Sequence, residues 1–195
     1  MPKPIKFIKS AVLTKDYPES AKPEIAIAGR SNAGKSSFIN ALGSSKIAKV
    51  SSTPGKTRLL NFFSLGEAYN IVDMPGYGFA ARSGDEMREW QQMIEAYLMT
   101  RENLRGLVLV MDIRRDWDQD EELLKHFSDT RGFPMAVVLT KADKMSRGQM
   151  IQSVAKIKKQ SGLSAVFASS ALKRQGQEEV EEYVFENWIK AKGNT

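Results

Sequence analysis

The 195-residue sequence predicts an α/β fold of three layers, with helices on both faces of a mostly parallel six-stranded sheet that has one antiparallel strand. Three observations predict it. Short apolar runs alternate with longer amphipathic segments, two of the runs are joined by a turn, and a glycine-containing loop follows the first core run. Ligands of such sheets bind at the carboxyl ends of strands, and the motifs described below all fall there.

The first half of the sequence supplies an arm, three strands and one helix. Residues 1–22 are expected to form an ordered arm or an edge strand that leads into the single main domain, residues 23–195. Apolar runs predict strands at residues 24–29, 58–64 and 68–73, and helical spacing predicts a helix at residues 35–42. Because Gly66-Glu67 has the composition of a hairpin turn, the strands on either side are expected to be antiparallel.

The second half alternates helices with buried strands. Residues 86–101 place Trp90, Ile94 and Tyr97 on one face, which predicts a helix. Residues 104–112 are almost continuously apolar, as expected of a strand that is covered on both faces. The remaining predicted strands are residues 135–139 and 165–168, and the remaining predicted helices are residues 118–130, 149–160 and 177–190.

Composition excludes several classes of protein. The chain is 42% hydrophobic and 27% charged, as in soluble globular proteins, and it has no cysteine for disulfides, thiolate zinc sites or iron–sulfur clusters. Lysines interrupt the apolar residues of the N-terminus, so a signal peptide is not expected. We expect a cytoplasmic monomer that does not insert into a membrane. The net charge of +6 can attract nucleic acid or anionic lipid, but it also suits a soluble protein that is merely basic.

The segment Gly29–Ser36, with the sequence GRSNAGKS, matches the phosphate-loop pattern G-x-x-x-x-G-K-[ST] between a predicted strand and a predicted helix. Glycines at both ends allow the backbone to turn its N–H groups inward, at the positive end of a helix dipole. Lys35 can reach the outer phosphates of a nucleotide, and the hydroxyl of Ser36 is a ligand for Mg²⁺.

The choice of base is indicated by Thr140-Lys141-Ala142-Asp143, which resembles the [NT]-K-x-D guanine-reading motif of translation-factor-related GTPases. The carboxylate of Asp143 can accept hydrogen bonds from N1–H and N2–H₂ of guanine, whereas adenine would leave it unpaired. Thr140 stands where Asn is more frequent, and its hydroxyl can still tie this turn to the phosphate loop. Farther on, Ser169-Ser170-Ala171-Leu172 resembles the loop that supports O6 of guanine.

Two further segments are expected to respond to the third phosphate. Asp73-Met74-Pro75-Gly76 fits the pattern D-x-x-G at the end of a strand, with Asp73 holding Mg²⁺ through a water and the N–H of Gly76 close to the γ-phosphate. Thr57, at the end of the long loop after residue 43, can add its hydroxyl to Mg²⁺. Both loops would become ordered with GTP and relax after hydrolysis, which is the behaviour of a switch.

Together these motifs resemble the bacterial EngB (YihA/YsxC) GTPases of the TrmE-Era-EngA-YihA-Septin-like superfamily. The resemblance extends from about residue 20 to the C-terminus, and its most particular parts are R-S-N-A-G-K-S-S and D-M-P-G-Y-G. It implies a G domain of the P-loop NTPase type that hydrolyses GTP with Mg²⁺. It also implies a role in assembling the large ribosomal subunit, with that subunit's precursor and rRNA as partners, and a need for the protein in cell division and septation.

The resemblance also implies the set of site residues. The metal ligands are expected to be Ser36, Thr57 and Asp73, and the residues that take part in hydrolysis Lys35, Thr57, Gly76 and Asn32. Contacts to GTP or GDP are expected from Gly29, Arg30, Ser31, Asn32, Ala33, Gly34, Lys35, Ser36, Gly55, Lys56, Thr57, Arg58, Leu59, Asp73, Met74, Pro75, Gly76, Thr140, Lys141, Ala142, Asp143, Ala168, Ser169, Ser170 and Ala171.

The residue after the D-x-x-G glycine distinguishes this sequence from Ras-like GTPases. Ras-like enzymes have Gln there, whereas this chain has Tyr77, which is poorly suited to orient the attacking water. We therefore expect slow intrinsic hydrolysis that a partner or a monovalent cation stimulates. Asn32 matches the phosphate-loop Asn that holds K⁺ in related cation-dependent GTPases.

Two alternatives to a GTP-hydrolysing switch remain open at the level of sequence. One is a P-loop kinase or ATPase, although residues 140–143 favour guanine and no segment has the length of an inserted lid. The other is a binding module that GTP controls without much hydrolysis, which Tyr77 supports.

Overall fold

A single mixed sheet runs through the computed structural model, which describes residues 3–43, 59–78 and 84–190. Its strands are β1 (Ile5–Ala11), β2 (Glu24–Gly29), β3 (Leu60–Leu65), β4 (Tyr69–Asp73), β5 (Leu104–Asp112), β6 (Met135–Thr140) and β7 (Val166–Ala168). The seven strands lie in the order β1-β3-β4-β2-β5-β6-β7. β2 is parallel to β4 and β5, and β6 is parallel to β5 and β7.

Helices cover both faces of this sheet. They are α1 (Lys35–Leu42), α2 (Gly84–Thr100), α3 (Gln119–Arg131), α4 (Arg147–Ser161) and α5 (Gln177–Val184). Buried side chains of α1 and α5 share one apolar cluster with one face of the sheet, and those of α2, α3 and α4 share a second cluster with the other face. The predicted three-layer α/β fold is therefore confirmed.

The sheet has seven strands in the described residues rather than the predicted six. The additional strand is β1, which lies within residues 1–22 and pairs antiparallel with β3 at the edge of the sheet. Since β3 is also antiparallel to β4, β3 alone runs against the other strands, as predicted. A bulge at Ile8 interrupts the pairing, and Lys6, Phe7, Ile8 and Lys9 are all exposed, so the apolar pattern of this strand is too weak to predict it firmly.

The C-terminal helix differs from the single segment predicted at residues 177–190. α5 ends at Val184, and a wider π-helical turn follows at Phe185–Ile189. This turn presents the buried ring of Trp188 to β5 at Gly106. A Cβ atom at Gly106 would lie 2.4 Å from Cε3 of Trp188, so the ring can pack there only because this strand residue lacks a side chain.

The order of the strands brings four loops to one edge of the sheet. The carboxyl ends of β2, β4, β5 and β6 are neighbours because these parallel strands are adjacent. The segments that follow them are residues 29–36, 73–78, 112–118 and 140–144. Three of these four segments carry the predicted motifs.

Candidate nucleotide-binding site

The phosphate-loop segment connects β2 directly to α1, which begins at Lys35. Gly34 has a φ angle of +88° and Asn32 one of +64°, so the backbone turns through the left-handed region twice within three residues. Gly29 packs so closely that an added Cβ would lie 2.5 Å from the carbonyl oxygen of Val110. The loop therefore has the tight backbone and the following helix N-terminus that an anion site requires.

The ammonium of Lys35 contacts the carboxylate of Asp73 at the end of β4. Both side chains are mostly buried, at 11% and 12% exposed. The contact brings the lysine of the phosphate loop together with the aspartate of the D-x-x-G segment. Ser36, the neighbour of Lys35, lies in the same first turn of α1.

The turn at residues 140–143 is fastened to the phosphate loop by two side chains. The Oγ1 atom of Thr140 lies 2.5 Å from the carbonyl oxygen of Ala33, the link expected from the sequence. The ammonium of Lys141 donates to the carbonyl oxygen of Asn32 at 2.8 Å. One pocket edge is thus formed from segments more than one hundred residues apart in the chain.

Asp143 faces the loop that follows β7. The hydroxyl of Ser170 donates to Oδ1 of Asp143 at 2.6 Å, and this hydrogen bond lowers the pKa of the aspartate. The backbone joins the two loops as well, because Ala142 N–H donates to the carbonyl oxygen of Ser169 at 3.1 Å. Ala168 ends β7, and Ala171 is exposed beside this junction. The guanine-reading residues predicted from the sequence therefore form one contiguous wall.

Gly76 lies against the phosphate loop, where an added Cβ would be 2.9 Å from Oγ of Ser31. Next to it, the carbonyl oxygen of Tyr77 accepts from the N–H of Ser31 at 2.9 Å. Pro75 is held from the other side, since Nε1 of Trp90 in α2 donates to its carbonyl oxygen at 3.0 Å. The D-x-x-G segment thus approaches the phosphate loop through its backbone.

The side chain of Tyr77 is fully buried. Its phenol donates to Oε1 of Glu121 in α3 at 2.9 Å. Burial, with the adjacent Glu121 carboxylate, raises the pKa of Tyr77 well above its usual value, so the phenol remains a hydrogen-bond donor at neutral pH. The phenol of Tyr77 is therefore engaged with α3.

Arg30 belongs to the phosphate loop, but its side chain extends to the start of α3. The guanidinium lies 3.0 Å from Glu121, 3.1 Å from Asp120 and 3.2 Å from Asp118. Only the backbone of Arg30 therefore remains at the loop, and its charge is used to hold α3. Glu121 also completes the capping box of that helix with Asp118.

Two residues of this edge were not identified from the sequence, Asp112 and Glu121. Asp112 ends the apolar run of β5, and a polar residue at the carboxyl end of a buried strand is a signal that could have found it. The capping-box pattern D-x-x-E could have placed Glu121 at the start of a helix. No sequence pattern links Glu121 to Arg30 or Asp112 to Lys141, because these contacts cross between separate elements.

Part of the predicted site lies outside the described residues. Gly55, Lys56, Thr57 and Arg58 fall there, and Leu59 is described as partly buried just before β3. Within the described ranges, no cluster of three or more His, Cys, Asp or Glu side chains is arranged to bind a metal ion. In the same ranges, no helix has both the length and the apolar character needed to cross a membrane.

Comparisons with known proteins agree with this geometry. A family model described as 50S ribosome-binding GTPase matches residues 24–141, from the start of β2 to Lys141. The probable GTP-binding protein EngB of Bdellovibrio bacteriovorus is 76% identical over 190 residues, which cover 97% of this chain and 95% of that protein. The chain belongs to the EngB family.

Other EngB relatives and structures extend this result. The probable EngB of Pelotomaculum thermopropionicum is 44% identical over 191 residues, covering 96% of each chain. A crystal structure of a probable EngB has a TM-score of 0.69 at 24% identity, covering 84% of this chain and 97% of that one. A structure of Era in complex with MgGDPNP and part of 16S ribosomal RNA has a TM-score of 0.64 at 24% identity, covering 85% of this chain and 56% of that one. These two structures support the fold alone.

EngB membership confirms the resemblance found in the sequence and places the chain in a family of GTPases. The alternative of a P-loop kinase or ATPase is not supported by these relatives.

Proposed function

We propose that the protein binds GTP and GDP, hydrolyses GTP slowly to GDP and phosphate, and acts as a nucleotide-controlled switch in assembly of the large ribosomal subunit. The observation that carries the first part is the junction of the phosphate loop with residues 140–143. Thr140 and Lys141 bond directly to the carbonyl groups of Ala33 and Asn32, so Asp143 and the phosphate loop border one site. A phosphate loop alone would suit ATP equally well, whereas Asp143 selects a base that carries two N–H donors.

Phosphate binding would depend on the N–H groups of residues 29–36 and on the ammonium of Lys35. The donors available for Mg²⁺ are the hydroxyls of Ser36 and Thr57 and the carboxylate of Asp73, a set of hard oxygen ligands that suits this ion. When bound, Mg²⁺ neutralises charge on the outer phosphates. The N–H of Gly76, whose Cα lies against the phosphate loop, is suited to report the presence of the γ-phosphate.

Slow intrinsic hydrolysis is proposed because Tyr77 is turned into the core toward Glu121. Asn32, exposed in the phosphate loop with its left-handed backbone, is the candidate to hold K⁺. A GTP-controlled binding module with little hydrolysis of its own is the second candidate function, and the orientation of Tyr77 is the observation that favours it.

The nucleotide and cation proposals can be tested in one assay. Binding of GTP, GDP and ATP is measured with Mg²⁺ present, and single-turnover phosphate release is then followed in KCl and in NaCl. We expect guanine nucleotides to bind much more tightly than ATP. Release should be faster in KCl, and Asn32→Ala should remove that difference. Tighter binding of ATP would overturn the function, whereas equal rates in both salts would overturn only the role of K⁺.

The ribosomal partner is supported by the family description and by the net charge of +6, which suits rRNA. From the resemblance to the EngB family alone, we also propose that the protein is a cytoplasmic monomer that is needed for cell division and septation. Co-sedimentation with large-subunit particles, in GTP and in GDP and over a series of salt concentrations, tests this role. We expect binding that depends on the nucleotide at fixed salt, since purely electrostatic association falls steeply with salt whichever nucleotide is bound. Association that ignores the nucleotide would contradict a switch, and phosphate release that the particles stimulate would reject the module without hydrolysis.

A further inference from the structure

Asp112 is a buried carboxylate at the carboxyl end of β5, between the strand that leads to the phosphate loop and the strand that leads to residues 140–143. It is 8% exposed and lies in register with Thr140 of β6. None of the motifs that define the nucleotide site includes this residue. A charge at such a depth requires partners, and the partners indicate its role.

One partner is Arg114. Its guanidinium donates to both oxygens of Asp112, from Nε to Oδ1 at 2.8 Å and from Nη2 to Oδ2 at 2.6 Å, while the backbone N–H of Arg114 donates to Oδ1 at 3.1 Å. The side chain of Arg114 is 55% exposed and returns to its own strand end. These bonds, with Lys141, keep the pKa of Asp112 well below its usual range, so the carboxylate remains charged.

The other partner is Lys141. Its ammonium lies 3.0 Å from Oδ2 of Asp112 and 2.8 Å from the carbonyl oxygen of Asn32. The backbone of Lys141 has a φ angle of +59°, an uncommon conformation for a residue with a side chain. Two contacts therefore fix the far end of the lysine, and the left-handed backbone fixes its near end. The four methylene groups of the lysine lie between these two fixed ends.

We propose that Asp112 is a positioning residue for guanine recognition, which acts by holding the ammonium of Lys141 so that the lysine stem packs along a purine paired with Asp143. This inference rests on the proposed function, because it assumes that the wall at residues 140–143 receives the base. The carboxylate acts on the base side of the site and not on the phosphates. Loss of this carboxylate should therefore weaken the binding of GDP and of GTP by the same factor and leave the hydrolysis rate of bound GTP unchanged.

The principal variant is Asp112→Asn, which keeps the shape of the side chain and removes its charge. We expect the Kd values of GDP and GTP to rise together by about tenfold, an effect of the size found for coupled side chains that are in direct contact. Arg114→Gln is the matched control, since it removes a partner of the same carboxylate that does not touch Lys141. The control should bind both nucleotides as the unaltered protein does, even if its melting temperature falls.

A double-mutant cycle with Lys141→Met separates this role from a general effect on the fold. If Asp112 acts through the ammonium, Asp112→Asn should have little further effect on the Kd of GDP once that ammonium is gone. Asp112→Glu keeps the charge but displaces it, so this variant should also weaken nucleotide binding. It takes the place of Asp112→Asn in the experiment if Asp112→Asn does not fold.

Three results would overturn the inference: unchanged affinity in the folded Asp112 variants, an equal loss in Arg114→Gln, or a full effect in the Lys141→Met background. Failure of the unaltered protein to bind guanine nucleotides would instead overturn the proposed function.

Discussion

Replacing Asp143 with Asn should weaken GTP binding by at least about 100-fold and improve the binding of xanthosine triphosphate. The carboxylate of Asp143 can accept hydrogen bonds from both N1–H and N2–H₂ of guanine. The amide of Asn would instead place its own N–H₂ donor against one of these two donors. Xanthine carries a carbonyl oxygen where guanine has the exocyclic amine, so it can accept from that amide. Competition binding with GTP, xanthosine triphosphate and ATP measures the change.

Asp116→Asn is the control for that experiment, because it also neutralises an exposed aspartate at this end of the sheet, one that pairs with Lys156 instead. It should leave the order of nucleotide affinities unchanged. Retention of full GTP affinity by Asp143→Asn would mean that residues 140–143 do not read the base. Because the hydrogen bond from Ser170 lowers the pKa of Asp143, recognition should persist at mildly acidic pH and be lost as the pH falls through that lowered value.

Glu121→Ala should lower the free energy of unfolding by about 3 kcal/mol, since it breaks a buried charged network. Glu121 is 1% exposed, and it accepts from the phenol of Tyr77 and pairs with the guanidinium of Arg30. The substitution leaves both groups short of a partner and removes the capping box of α3 as well. Urea denaturation with two-state analysis measures the loss.

The loss of stability in Glu121→Ala can be compared with that of two other variants. Tyr77→Phe deletes one hydrogen bond of the network and should cost about 1 kcal/mol. Glu178→Ala removes an exposed glutamate from the first turn of α5 and should change stability by no more than about 0.5 kcal/mol. A Glu121→Ala protein as stable as Glu178→Ala would show that the network contributes little.

The succession of strands and helices along the chain and the positions of the motifs could be predicted because both follow from local patterns. The apolar run of residues 104–112 and the phosphate-loop spacing each occupy a short stretch of chain, and the parallel sheet then brings the strand ends together. β1 was harder to define, since an exposed, bulged edge strand lacks the regular alternation of a core strand. The π-helical turn after Val184 was not predicted because its apolar spacing continues that of α5.

Apart from the link between Thr140 and the phosphate loop, the side-chain contacts that organise the site could not be predicted from the sequence. Arg30 lies 91 positions from Glu121, and Asp112 meets Lys141 from a neighbouring strand. Each pair depends on how the strands lie side by side, so the residues have no fixed spacing that a pattern could detect. The sequence predicted a set of nucleotide-contact residues, whereas the side-chain contacts that support the loops carrying them are visible only in the packed structure.

The closeness of Trp188 to Gly106 has a consequence for how the chain is completed during translation. The indole fills a space that β5 leaves for it at Gly106, so this part of the sheet stays uncovered until the segment that carries Trp188 has been made. A nascent chain that ends before this ring would expose apolar strand surface to water and to other nascent chains. Closure of this part of the apolar cluster is thus tied to synthesis of the segment that carries Trp188.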